Sequence, residues 1–256
     1  MLSSLLTVVV ICYDPYIDAI RFSNFFMAKN WSNISANVLY VGGSIGRNVC
    51  NYETATTGGD LSFSSRLSIA LSNVKTKYLL ILMDDYLINC PVDEKKIYEN
   101  ILFMERNNIS FCELYTIFRR PKVKKKSNLF LKTSKNVRYR INLQPSIFSK
   151  DILLELLKMN PNTPWDAEMC FMDKKFNKYD AYFALNKSLS VVNYIDKGYV
   201  TRKAYKMLKN ENIWNNNRPV LSVFREFLNS TKRFISYIVP DYFKNKIKGE
   251  KTFFKK

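Results

Sequence analysis

Apolar positions run almost without interruption from Leu5 to Cys12 (Leu-Leu-Thr-Val-Val-Val-Ile-Cys). A short β-branched run of this kind predicts a strand buried on both faces, as in a parallel sheet covered by helices. Tyr13-Asp14-Pro15-Tyr16 closes it, and Pro15 suits the first turn of a helix. Residues 17–30 then space Ile17, Ile20, Phe22, Phe25, Phe26 and Met27 as a helix would. Ala36 to Val41 reads as a second strand, stopped by Gly42-Gly43. Strand, helix, strand is the opening of a doubly wound sheet.

The alternation continues. Thr56 to Asp60 is predicted as a loop and Leu61 to Ser72 as a helix whose Leu67, Ala70 and Leu71 face the sheet. Tyr78 begins a third strand, in which five apolar residues end abruptly in Asp84-Asp85. A helix over 92–107 carries Asp93-Glu94 in its first turn, where carboxylates favour the helix dipole. Ser110 to Phe118 is read as a strand, and 119–137 as a basic loop or hairpin. Tyr139 to Phe148 alternates, and Asp151 is expected to cap a helix reaching Lys158. A loop from Asn160 feeds a short helix near Glu168, and late strands fall at 181–185 and 189–194. From Thr201 the chain reads as helical and basic, with an apolar stripe of Leu221, Phe224, Phe227, Leu228, Phe234, Ile235 and Ile238. The expected organisation is an α/β domain over 1–200 and a basic helical extension over 201–256.

Composition narrows the chemistry. The chain of 256 residues contains no histidine, and its five cysteines stand singly. This argues against common zinc sites and against Ser-His or Cys-His nucleophile pairs, leaving acid–base work to Asp, Glu, Lys or Tyr. Unpatterned cysteines suit a reducing cytosol. The Leu5–Cys12 run lacks the basic flank and cleavage site of a signal peptide, and no segment has the roughly 18 apolar residues needed to span a bilayer. The net charge of +18 is local: residues 119–140 hold ten Lys/Arg and no acid, and residues 201–256 hold fourteen against four acids. Such patches point to a polyanionic surface, whether nucleic acid, acidic membrane or anionic substrate.

Three clusters carry candidate chemistry. Asp84-Asp85 lies at the end of a predicted central strand, where ligands of such sheets collect, and two carboxylates there suit a divalent cation and a diphosphate. A helix cap after a core strand is the competing reading. Asp60 to Arg66 places a guanidinium near a helix start, which favours phosphate, against a plain surface salt bridge. Pro164-Trp165-Asp166-Ala167-Glu168 sets an indole beside two carboxylates, a combination suited to packing on a sugar ring and deprotonating an alcohol. A capped helix with a core tryptophan is the alternative. Gln144, ahead of Pro145, is a further candidate for hydrogen bonding to an acceptor.

The run from Asp60 through Arg66-Leu67 to Asp84-Asp85-Tyr86 resembles a signature of bacterial surface-polysaccharide glycosyltransferases. Leu143-Gln-Pro-Ser-Ile-Phe-Ser-Lys-Asp-Ile-Leu and Pro164-Trp-Asp-Ala-Glu resemble that family's acceptor-side blocks, and Asn193-Tyr-Ile-Asp-Lys-Gly-Tyr its closing block. The resemblance covers roughly residues 5–215. It implies a GT-A-like, Rossmann-like fold: a mixed, mostly parallel sheet with helices on both faces, followed by the basic helical extension. It further implies inverting transfer of a sugar from a nucleotide-sugar donor to a hydroxyl of a glycan or lipid-linked glycan. By position, Tyr13 and Asp60 would lie near the nucleotide, Arg66 near the diphosphate or the acidic pair, and Asp84 and Asp85 near ribose and a divalent cation (Mn2+ or Mg2+). Glu168 or Asp166 would be the base, and Gln144 and Trp165 would meet the acceptor. The family's Asp-x-Asp is here an adjacent Asp-Asp. The expected setting is cytoplasmic, with the basic extension on the inner face of the plasma membrane.

A rival reading makes the chain a nucleic-acid-binding or metal-dependent processing protein, gripping phosphates through 119–140 and 201–256. The acidic candidates lie outside those basic segments and no nucleic-acid motif is present, so no nucleic-acid partner is expected.

Overall fold

The computed structural model describes residues 2–45, 50–56, 58–59, 61–115, 123–125, 129–135, 137–215, 218–226, 228–229 and 231. The chain divides into two compact units, Met1–Asn193 and Tyr194–Lys256.

The strands of the first unit are β1 (Leu6–Ile11), β2 (Asn37–Gly42), β3 (Glu53–Thr56), β4 (Tyr78–Met83), β5 (Tyr86–Ile88), β6 (Phe111–Glu113), β7 (Val123–Lys125), β8 (Phe130–Thr133), β9 (Ser146–Ser149), β10 (Ala181–Ala184) and β11 (Val191–Asn193). Its helices are α1 (Ile17–Asn30), α2 (Phe63–Asn73), α3 (Glu94–Arg106), α4 (Lys150–Leu157) and α5 (Pro164–Cys170). Nine of these strands form one sheet in the order β3-β2-β1-β4-β9-β6-β10-β8-β7. The parallel pairs β1–β2, β1–β4, β2–β3 and β6–β10, with antiparallel β4–β9 and β6–β9, leave β8 and β9 reversed and the rest running one way. This is the expected mixed, mostly parallel sheet. β5 and β11 pair separately.

Alternation along β1 explains the two-sided core. Leu6, Val8, Val10 and Cys12 enter one apolar cluster with Ile20 and Met27 of α1 and Ile97, Ile101 and Met104 of α3. Val9 and Ile11 point the other way, against Phe63 and Leu67 of α2 and Ile152, Leu153 and Leu156 of α4. Period-two side chains require a helical layer on each face, and the helices supply both.

Several boundaries differ from the sequence expectation. The stretch before the Thr-Thr-Gly-Gly loop holds an edge strand, β3, whose polar Glu-Thr-Ala-Thr gives no apolar signal. Tyr139–Pro145 is loop rather than strand, because buried Arg140 donates to the Tyr179 and Phe176 carbonyls and buried Asn142 bonds within the loop. The α4 helix starts after Ser149, with Asp151 inside its first turn instead of at the cap. Within 119–137, β7 and β8 form an antiparallel hairpin, and residues 119–122, 126–128 and 136 lie outside the described residues.

In the second unit, β12 (Ile195–Asp196) pairs with β13 (Tyr199–Val200), and α6 (Arg202–Asn210) is capped by the Thr201 hydroxyl. The stripe residues Phe227, Phe234, Ile235 and Ile238 lie outside the described residues. Among the described residues, no helix is long and apolar enough to cross a membrane.

Candidate active site at the carboxyl ends of the parallel strands

The strand β4 delivers Asp84 at the sheet's carboxyl end, one residue beyond Met83. Its amide is fixed by the Ile11 carbonyl at 3.2 Å. Its Oδ2 accepts the Tyr13 amide at 2.6 Å, so the exits of the two neighbouring strands are bound to each other through this carboxylate. Asp84 is 4% exposed, and burial, then the charge of Asp85, raise its pKa to about 8 against the pull of the Tyr13 amide and Arg66. Asp85 keeps some surface, and desolvation raises it to about 7. A raised carboxylate pair is a site with an unmet demand for positive charge.

Arg66 answers part of that demand. It is buried in α2, donates to the Leu61 carbonyl, and stands 5.8 Å from the centroid of the Tyr13 ring. Its side chain is buried and not on the surface. Tyr13 itself is 44% exposed and packs edge-on against Tyr16 at 5.2 Å. Tyr13, Arg66, Asp84 and Asp85 are thus brought together. Asp60 lies outside the described residues.

No family model matches the chain, and no curated protein matches it. Solved structures do. The chain is similar to S. aureus TarS at 14% identity, TM-score 0.48, with 88% of this chain and 43% of that one covered. It is similar to S. aureus TarS 1–349 in complex with UDP at 16% identity, TM-score 0.44, covering 72% and 59%. A nucleotidyl transferase from Methanothermobacter is similar at 11% identity, TM-score 0.49, covering 83% and 99%. The chain spans less than two thirds of the TarS structures.

A second carboxylate group gathers beyond Asp85. Tyr86 is buried, and after its own burial the charges of Asp85, Glu168, Glu113 and Asp84, in that order, raise its pKa. Glu168 Oε1 accepts the Leu143 amide at 3.0 Å, and the Tyr86 hydroxyl donates to the Leu143 carbonyl at 3.3 Å. The two acidic candidates of α5 part company here. Asp166 completes a capping box, accepting the Thr163 amide at 2.9 Å while the Thr163 hydroxyl accepts the Asp166 amide. Glu168, two residues on, faces the acidic cluster. Trp165 is 74% exposed, which removes the core-tryptophan alternative. Gln144 Oε1 is buried without a hydrogen-bond partner among the described residues.

Sequence reasoning missed three residues. Asp14 takes the Gly43 amide at 2.8 Å and the Ser44 hydroxyl at 3.0 Å, while the Gly43 carbonyl takes the Gly58 amide at 2.7 Å. The exits of β1, β2 and β3 are thereby joined, and a Cβ on Gly43 would overlap the Gly59 carbonyl and the Asp14 carboxylate. For Asp14, an acidic residue in the turn that closes a core strand was the available signal. Glu113, 2% exposed at the end of β6, and Asn142 carried none, because both sat inside apolar or alternating stretches.

Among the described residues, no group of three or more Asp, Glu, Cys or His could hold a metal ion. Asp84 and Asp85 fit a cation that draws its remaining ligands from phosphate oxygens and water, as Mg2+ and Mn2+ do, and do not form an all-protein cage. A polar hollow of about 290 Å³ lined by Ser3, Thr7, Asn37 and Thr76 lies by the amino end of β1, away from these groups.

Proposed function

We propose that the chain is an inverting glycosyltransferase that moves a sugar from a nucleotide-sugar donor to a hydroxyl of a glycan or lipid-linked glycan, in cell-surface polysaccharide synthesis. The observation that carries this reading is the convergence of a charge-starved acidic pair, Arg66 and an open tyrosine at one end of the sheet, with Glu168 across Tyr86. The Tyr13 ring offers an exposed face to the nucleotide, and Arg66 adds positive charge on the side of the diphosphate. A divalent cation held by Asp84 and Asp85 would supply Lewis-acid stabilisation of the departing diphosphate. Glu168 takes the proton of the acceptor hydroxyl as that oxygen bonds to the anomeric carbon, and the bond to the diphosphate breaks on the opposite side. Glu168 is preferred to Asp166 because the Asp166 carboxylate is committed to capping its helix. Trp165 presents its ring to the acceptor, with Gln144 as a further acceptor contact. Residues 201–256 would rest on anionic lipid at the inner face of the plasma membrane, where each basic residue near the surface contributes on the order of 1 kcal/mol.

Thermal shift against UDP-, GDP- and CMP-sugars, with and without Mn2+, tests the reading. Stabilisation by a nucleotide sugar is expected; stabilisation by single-stranded or duplex DNA alone overturns it. Glu168→Gln should abolish transfer while nucleotide binding survives, and full activity in that variant removes Glu168 as the base.

A further inference from the structure

The loop Tyr139–Pro145 is held at more points than a surface connection needs. The Leu143 backbone is gripped on both sides of its Cα, its N–H by Glu168 Oε1 at 3.0 Å and its carbonyl by the Tyr86 hydroxyl at 3.3 Å. One residue earlier, Asn142 donates from Nδ2 to Glu113 Oε2 at 3.2 Å and to the Tyr139 carbonyl at 3.2 Å, while its Oδ1 accepts the Gln144 amide at 2.8 Å. The loop then rejoins β6 through the Leu114 amide and the Pro145 carbonyl at 2.9 Å. Glu113 is 2% exposed and Asn142 2%, so this polar chain is buried, where an unmatched charge is costly and a matched one fixes geometry. A carboxylate is an expensive way to hold a loop when a second backbone bond would serve. Its location decides what it is for: the loop it fixes donates the Leu143 N–H to Glu168.

We propose that Glu113 and Tyr86 are positioning residues for Glu168: by fixing the Tyr139–Pro145 loop from two sides they set the Leu143 N–H, and through it the orientation of the Glu168 carboxylate. This rests on the reading of Glu168 as the base. Tyr86 directly follows Asp84-Asp85, so the same bond ties the donor end of the site to the base. The N–H and the carbonyl of Leu143 belong to adjacent peptide groups, so the two bonds fix the peptide planes on both sides of its Cα. Neither residue needs to touch substrate.

The chemistry of the Glu113–Asn142 bond permits an exchange test. Asn142→Asp removes the donor and sets two carboxylates face to face. Adding Glu113→Gln restores a donor–acceptor pair with the polarity reversed, and leaves an oxygen at 142 for the Gln144 amide, though no donor for the Tyr139 carbonyl. Hydrogen exchange of the 139–145 segment, followed by mass spectrometry on the full chain, reads the loop without reference to activity. Asn142→Asp should exchange at least tenfold faster there, and the double variant should recover part of the protection. In the transfer assay, Asn142→Asp and Tyr86→Phe should lower kcat tenfold or more with KM for the UDP-sugar within twofold, with kcat recovering in the double variant. Unchanged exchange in Asn142→Asp, no recovery in the double variant, or a loss confined to KM overturns the proposal. If Asn142→Asp fails to fold, Tyr86→Phe, which removes one hydroxyl, carries the test alone: unaltered kcat and exchange overturn it. A wild-type chain that binds no nucleotide sugar, with the exchange pattern as expected, would instead sink the transferase reading and leave the loop's architecture standing.

Discussion

Replacing Asp84 by asparagine should make the protein more stable, and more so as pH rises. The folded-state pKa is raised from 3.8 to about 8, so between those values the folded chain keeps a proton that the unfolded chain has released. Stability from this group is therefore complete below about pH 4, falls as pH rises through the window, and levels off above about 8. Across that window each pH unit removes about 1.4 kcal/mol, which places the full penalty at roughly 5 kcal/mol near pH 8. A higher effective dielectric around the relaxed carboxylate relieves part of this, and a gain on the order of 2 kcal/mol is expected. Asparagine keeps an oxygen for the Tyr13 amide, so the link between the exits of β1 and β4 survives. A gain of about 2 kcal/mol raises Tm by roughly 4–8 °C in a chain of this size. The assay is thermal denaturation of wild type and Asp84→Asn at several values between pH 4 and 8.5. The two curves should converge near pH 4 and separate with rising pH. A variant no more stable than wild type at pH 8, or a gain that is the same at every pH, refutes the reasoning.

Other outcomes follow from the same geometry. Mn2+ with UDP should stabilise wild type more at pH 8 than at pH 6, since more of the acidic pair is ionised there, and Asp84→Asn should lose most of that response in the same thermal assay. Gly43→Ala should destabilise the first unit by about 1–3 kcal/mol in urea titration, because the new Cβ meets the Gly59 backbone, which cannot step aside as a flexible side chain would. Trp165→Ala should leave stability within about 0.5 kcal/mol, as expected for so exposed a side chain, while raising the acceptor KM in the transfer assay. Removing 219–256 should weaken binding to anionic liposomes in a sedimentation assay; unchanged partitioning would argue for packing of that segment within the protein.

The sheet was legible where the physics is local. Continuous apolar runs at Leu6–Ile11 and Tyr78–Met83 can only be buried on both faces, and that alone implies helices above and below. The position of Asp84-Asp85 followed from the same pattern, because a carboxylate directly after such a run must emerge at the strand's carboxyl end. What the pattern could not convey was anything that depends on a partner distant in sequence. β3 is polar and exists because β2 pairs with it. Arg66 looks like a surface residue of an amphipathic helix until the fold sets Tyr13 beside it. Asp166 and Glu168 are chemically alike and two residues apart, and only Thr163 on one side and Leu143 on the other separate a helix cap from a candidate base. Glu113 and Asn142 gave no sign in sequence, since a buried polar pair is recognisable only when both members are seen together.

The sequence by itself determined the layered α/β class, the strand that carries the acidic pair, and the restriction of any acid–base chemistry to groups other than histidine. Those are consequences of period, burial and composition, which are properties of neighbouring residues or of the whole chain. The tertiary structure alone decided that Asp84 is buried beside a second carboxylate, that Arg66 and Tyr13 share its surroundings, and that Glu168 acts on Tyr86 while Asp166 caps its helix. Desolvation and charge–charge energies depend on distances through space, and those are set only when remote segments meet.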